Sequence, residues 1–435
     1  MPWFRKRLSA ARVAALARRA EEYAAGPADP SARLAFQLDG FNRCWRDIIE
    51  YVQYYKKMAA DGRAPREFES WDQVLATLPA VDRPFLYQNF SALADTRRPA
   101  EYFRVTGGST AAPVQLPAWN SERKQTAPDM WWGRSWYGIE PFDPLFLLWG
   151  HRHLLGTGWQ GFKNARKRQL KDRVLGYTRF PAYDLSTPAL HRAGQALERS
   201  RSAYMVGYSV ALDRFARALQ GRPLALKRPL KAVIGTAESF PFADSEQVVA
   251  AVFQAPAAME YGAVETNLIA HTAPEGGYRA FWRNYFLEAR ERGPSGGFIL
   301  RVTSLYPRGF PLLRYEIGDE IQAEAPGYGL AGFQRVLGRC NDYLEFPDGL
   351  KIHSEAITHS LSGVKELSGY QMVQEEGRLI LRVTLREPLP AAQKDGIRRR
   401  LAQLHPALDP VEIEAVEALA RTVAGKTPMV IRRPK

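Results

Sequence analysis

PLLRYEIGDEIQAEAPGYGLAGFQRVLGRCNDYLEFPDGLKIHSEAI occupies residues 311–357. Its apolar start, 312–317, predicts a buried strand that ends in a carboxylate behind a glycine, Gly318-Asp319. A Gly338-Arg339 pair follows, then a polar Asn341-Asp342 step. Beyond it, 343–346 and 350–353 predict two short strands around the turn Pro347-Asp348-Gly349. The first part closes one folding unit and the second opens a smaller one. A carboxylate and an arginine at such a seam suit a ligand that carries both hydroxyls and phosphates. Gly-Asp and Gly-Arg pairs are also ordinary turns, so the rest of the chain has to decide between the two readings.

Downstream, 370–374 and 379–385 predict strands around the turn 375–378, 391–404 a helix, and 411–416 a strand. In that helix Ile397, Leu401 and Leu404 share one face. The segment is an α+β unit of about a hundred residues, enough to stand as a domain. Upstream, 312–317 and 296–304 are predicted strands, 257–265 a strand and loop, 245–253 a helix, and 186–220 helices. Residues 232–234 are a buried strand running into Gly235-Thr236. Residues 31–60 predict one long helix carrying Phe36, Phe41, Trp45, Tyr51 and Tyr54, and 119–160 is a tryptophan-rich stretch of core or pocket wall. Residues 1–25 are basic and alanine-rich, as in a transit peptide. Glu21, Glu22 and the unbroken helical pattern favour a surface helix instead. Strands alternating with helices argue an α/β body.

Composition narrows the class. At 435 residues the chain exceeds a single domain, and 46% hydrophobic with 24% charged residues is ordinary for a soluble globular protein. No apolar run approaches the ~20 residues that span a bilayer. Two cysteines, Cys44 and Cys340, are too few for a disulfide framework or a cysteine zinc site, and a reducing cytoplasm fits best. The net charge of +14 favours polyanionic partners: nucleotides, phosphorylated coenzymes, acidic carrier proteins or nucleic acid. Its densest basic run, KNARKRQLKDR at 163–173, lacks the aromatic interleaving of a single-strand binder and predicts a solvated amphipathic helix.

Five further signals carry chemistry. Thr106-Gly107-Gly108-Ser109-Thr110 follows a β-like tetrapeptide, 102–105; small residues let backbone amides approach a polyphosphate, with two hydroxyls to help. It lacks the ending of a Walker A loop, and the same residues also make a tight hairpin turn. Gly235-Thr236-Ala237-Glu238 lies where an α/β sheet binds ligands, at the carboxyl end of a strand, or is a plain strand-to-helix turn. Tyr261-Gly262-Ala263-Val264-Glu265 sets an aromatic ring and a carboxylate on one loop; a glutamate near phosphates would hold Mg²⁺. Lys426, in ARTVAGKTP, is either a mobile ammonium for a reacting group or a solvated lysine near a chain end. His151 and His153 flank Arg152 without an evident carboxylate partner, which leaves pocket-lining or structural roles. No Gly-x-Ser-x-Gly elbow is present.

Taken in order, these motifs resemble the adenylate-forming superfamily of acyl- and aryl-CoA ligases across residues 100–430, and most of all its phenylacetate–CoA ligase and CapK-like branch. The resemblance implies a large α/β N-terminal domain (1–338), a hinge (339–342) and a small mobile α+β C-terminal domain (343–435). It implies that ATP binds through Thr106, Gly107, Gly108, Ser109 and Thr110, with Ala237 and Glu238 on the adenine side. Tyr261, Gly262 and Glu265 match the motif whose glutamate ligands Mg²⁺, and Asp319 the aspartate that takes the ribose hydroxyls. Arg339 matches the nucleotide-contacting arginine and Lys426 the lysine of adenylation; Lys426, Arg339 and Glu265 are the expected catalytic groups. Three departures stand out: Ala111 and Ala112 replace a glycine and a lysine, Val264 a serine or threonine, and Asn341 the hinge aspartate. The expected reaction activates an aryl or other apolar carboxylic acid as acyl-adenylate and passes it to a thiol, coenzyme A. The alternatives are transfer to an amine or acyl carrier protein, or a non-catalytic nucleic-acid binder on a decayed ligase fold. Cytoplasmic location is expected and a membrane partner is not. Oligomeric state is not specified by the sequence.

Overall fold

YMVGY at 204–208 is buried at every position and forms a strand where the sequence predicts only helices. A strand covered on both faces loses the alternation of a half-buried one, and this one feeds directly into the helix Ser209–Leu219. The computed structural model describes residues 5–7, 9–105, 115–149, 158–182, 185–293, 296–340, 343–346, 351–361, 364–375, 377–421 and 427–433. Among them no helix is long and apolar enough to cross a membrane. The chain forms two units, one of residues 1–13, 134–260 and 342–435, the other of 14–133 and 261–341.

In the first unit a parallel sheet runs in the order Ala257–Ala263, Val233–Thr236, Tyr204–Tyr208, Leu145–Leu148, Thr178–Phe180. The helices Thr187–Arg199, Ser209–Leu219 and Ser245–Phe253 cover it. Phe146, Met205, Leu212, Phe215, Val233 and Phe253 form the shared core. The C-terminal part of this unit is a four-stranded sheet. Its central hairpin, Leu367–Glu375 with Arg378–Leu385, is antiparallel and flanked by parallel edge strands Val430–Arg433 and Glu412–Ala415. The helix Ala391–Leu404 buries Ile397 and Leu401 against it, as the sequence pattern predicts. Phe242, from the parallel-sheet part, joins that second core beside Tyr370.

The second unit is organised by a five-stranded sheet in the order Gly327–Tyr328, Tyr285–Ala289, Phe298–Ser304, Tyr315–Gln322, Arg335–Arg339. The predicted strand at 312–317 starts three residues later and does not stop at the carboxylate. It continues to Gln322, so Asp319 sits inside a paired strand, opposite Arg339. The long helix predicted at 31–60 is two, Pro30–Tyr51 and Gln53–Ala60, because Val52 is extended and bridges Asp95. Phe41, Trp45, Phe68 and Trp71 pack together under the first helix, and Trp71 stacks on Phe286 at 3.4 Å. Tyr102–Val105 and Gln115–Ala118 form a separate hairpin around residues 106–114. The chain is an α/β protein with a large N-terminal part and a smaller C-terminal α+β part.

Candidate active site

Register places Asp319 directly across from Arg339, and the side chains meet: Arg339 Nε lies 2.8 Å from Asp319 Oδ1. Tyr261, at the end of the strand Ala257–Ala263, donates its hydroxyl to Asp319 Oδ2 at 2.8 Å. Among the described residues each carboxylate oxygen therefore has one partner and keeps a lone pair. Two backbone features hold this arrangement. Gly318 has φ +85°, closed to most side chains, and its carbonyl accepts the Cys340 amide. Arg339 Nη1 also donates to the Ile317 carbonyl at 3.2 Å. Burial first, then the Asp319 charge, pushes the Tyr261 phenol well above its ordinary range, so it stays a hydrogen-bond donor. Asp319 raises Arg339 more than burial lowers it, keeping the guanidinium charged. The Arg339 side chain is 47% exposed, so the pair is worth little as stability and more as orientation.

Glu265 lies on the turn between the strands Ala257–Ala263 and Asn267–Thr272. Gly262 admits no side chain there: a Cβ would stand 2.0 Å from the Asn267 carbonyl oxygen. Thr266 Oγ1 accepts the Ala263 amide and donates to the Asn267 carbonyl, and Asn267 takes φ +65°. The Glu265 carboxylate is half-buried and accepts one long bond, from Tyr315 at 3.4 Å. Among the described residues most of its lone-pair capacity is open, which fits a hard cation that would take its remaining oxygens from phosphate. Val264, at the position where a hydroxyl is expected, is 44% exposed.

In the first unit, the Ala237-Glu238 turn ends the strand Val233–Thr236, with Ala237 at φ +73°. Glu238 accepts the Val210 amide at the start of the helix Ser209–Leu219 and the Thr427 amide, at 3.4 and 3.3 Å. The residue after Lys426 is thereby anchored to the predicted adenine-side turn. Lys426 itself lies outside the described residues, as do Thr106, Gly107, Gly108, Ser109, Thr110, Ala111, Ala112, His151, His153, Asn341 and Asp342. Sequence reasoning missed Arg104, Glu122 and Arg308, three buried charges beneath the Glu265 turn. Its one available signal was Arg104, in the strand leading into 106–110.

No family model and no curated protein matches the chain. Solved structures do. A 2-hydroxyisobutyryl-CoA ligase, in the postadenylation state with 2-HIB-AMP, covers 93% of this chain and 89% of its own at 18% identity, TM-score 0.66. An anthranilate CoA ligase in complex with anthranoyl-AMP covers 75% of this chain and 64% of its own at 16% identity, TM-score 0.53. The amide bond synthetase McbA from Marinactinospora thermotolerans covers 77% and 69% at 15% identity, TM-score 0.50. This chain therefore has the fold of the adenylate-forming ligases.

Proposed function

We propose that the chain is an ATP-dependent carboxylate ligase that makes an acyl-adenylate and transfers the acyl group to a thiol, coenzyme A. The observation that carries this is the Tyr261–Asp319–Arg339 arrangement: an oriented carboxylate for the ribose hydroxyls, beside a cation for the nucleotide. The fold shared with solved CoA ligases supports it. Within that fold, the order of motifs favours the phenylacetate–CoA ligase-like branch and an aryl or other apolar acid.

In the first half-reaction a carboxylate oxygen of the acid attacks the α-phosphorus of ATP. The bond from that phosphorus to the α,β-bridging oxygen breaks, and pyrophosphate leaves with its electron pair. Negative charge crowds as the two anions meet, so cations do the work here. Mg²⁺ held by Glu265 would neutralise phosphate charge. Arg339 stays protonated to face the nucleotide, and Lys426 bridges the incoming carboxylate and the α-phosphate. In the second half-reaction a thiol loses its proton and attacks the acyl carbon; the bond from that carbon to the phosphate oxygen breaks, and AMP leaves with the electron pair. The two steps need different groups, so residues 339–342 serve as a hinge for the 343–435 domain. Thr106 to Thr110 receive the phosphates; Ala237 and Glu238 border the adenine.

A panel of carboxylic acids, assayed for ATP-dependent pyrophosphate release, tests the reading. Absence of release with every acid of the panel would reject it. Trapping the product with coenzyme A, an amine or a carrier protein then assigns the acceptor. The nucleic-acid alternative has less support: 163–173 lies within the helix Gly158–Leu175, and those eleven residues include no aromatic ring for stacking.

A further inference from the structure

Beneath the Glu265 turn, three buried charged residues meet: Arg104 from the hairpin strand Tyr102–Val105, Glu122 from the helix Asn120–Ser135, and Arg308. Both arginines aim at one atom. Arg104 Nη1 donates to the Glu265 carbonyl oxygen at 3.4 Å, and Arg308 Nη2 donates to the same oxygen. Glu122 answers both, accepting from Arg104 Nη2 and standing 3.7 Å from Arg308 Nε. Its second oxygen accepts the Trp119 and Gly309 amides at 2.9 and 3.0 Å. The next carbonyl of the turn, Thr266, accepts the Tyr285 hydroxyl at 2.5 Å. The turn is thus held through its backbone, and the Glu265 carboxylate is left available.

As a device for stability alone this is poorly built. Two guanidiniums share one carboxylate, and the Nε and Nη1 groups of Arg308, whose side chain is 1% exposed, have no hydrogen-bond partner among the described residues. A buried donor left without a partner costs free energy, and such groups concentrate where a site needs them. The arginines also join two segments that the proposed function uses together. Arg104 sits two residues before Thr106, and Arg308 and Arg104 converge on Glu265.

We infer that Arg104 and Arg308 are positioning residues: through the Glu265 carbonyl they set the proposed metal-binding carboxylate against the strand Tyr102–Val105. This rests on the proposed function, and deepens it by assigning the groups behind the metal ligand. Partners of a metal ligand's neighbours typically change metal affinity by about 10–100-fold when removed.

The test measures Mn²⁺ binding by electron paramagnetic resonance in the presence of a non-hydrolysable ATP analogue, so it needs no acid substrate. Arg308→Met and Arg104→Met should each weaken Mn²⁺ binding at least about tenfold. Arg308→Lys and Arg104→Lys, which keep the charge on a single donor nitrogen, should recover part of it. The Met variants, which take a buried partner from Glu122, should also melt lower, so binding is measured well below each transition; the KM for the acid, once one is found, should change little. Unchanged Mn²⁺ affinity in both Met variants would overturn the inference. So would a loss that neither Lys variant restores in part. If the wild type binds Mn²⁺ with the analogue but no acid releases pyrophosphate, the proposed reaction fails and the positioning role is still decided. If the wild type binds neither metal nor analogue, both fall.

Discussion

Tyr261 and Asp319 are joined by a 2.8 Å hydrogen bond between a buried phenol and a carboxylate that also holds Arg339. The bond fixes which way the carboxylate faces without any ligand, which is the preorganisation that the proposed nucleotide site requires.

Asp319→Ala should weaken nucleotide binding by at least about tenfold, because hydrogen bonds to a charged acceptor contribute roughly 1.5–3 kcal/mol each. Tyr261→Phe removes only the orienting donor, and about 1 kcal/mol of lost hydrogen bond predicts a few-fold effect. Calorimetric titration with ATP checks both. Equal losses in the two variants would mean that Asp319 supports the fold around Tyr261 and does not touch the ribose.

Gly262→Ala should destabilise the turn that carries Glu265. The new methyl would fall 2.0 Å from the Asn267 carbonyl oxygen, a backbone atom that cannot swing aside. Overpacking of this kind costs about 1–3 kcal/mol, visible as a lowered melting temperature in differential scanning calorimetry. An unaltered transition would show that the two strands slide apart at no cost.

Lys426→Ala should slow adenylation by roughly 10²–10³, the usual effect of removing one preorganised charge donor. A supplied acyl-adenylate should still pass to the acceptor at near wild-type rate, since AMP is already the leaving group. Stopped assays of the two half-reactions separate these outcomes. Equal loss in both steps would assign Lys426 to general binding. No loss in either would make it a solvated lysine.

Neither cysteine should react readily with a thiol reagent at pH 8. Burial pushes both thiols up to about 12, helped at Cys340 by the charges of Glu320 and Asp319. A folded pKa above the unfolded one means less thiolate at a given pH, so alkylation should run roughly 10³-fold slower than for a free thiol. Raising the pH toward 11 should speed it, and unfolding at pH 8 should release two fast-reacting groups. Rapid labelling of native protein at pH 8 would contradict the burial.

Local physics was readable along the chain. The helix Ser245–Phe253 and the helix Ala391–Leu404 run to the residues their apolar periodicity predicts, and the C-terminal hairpin brackets its predicted turn. Gly318, with its left-handed φ, and Gly262, pressed on a neighbouring backbone, stand where small residues are obligatory. Such signals depend on neighbours a few residues apart, so the sequence alone determines them. Tertiary structure decided the rest. Tyr204–Tyr208 is a strand paired on both edges and buried at every position, and full burial erases the alternation that marks a strand. Asp319 met Arg339 through strand register, and a one-residue slip would have turned either side chain to the other face. Arg104 reaches Glu265 across 161 positions, and Glu122 reaches Gly309 across 187. No periodicity spans such distances; only the packed chain brings Arg104 and Arg308 onto one carbonyl oxygen and Glu122 beside both.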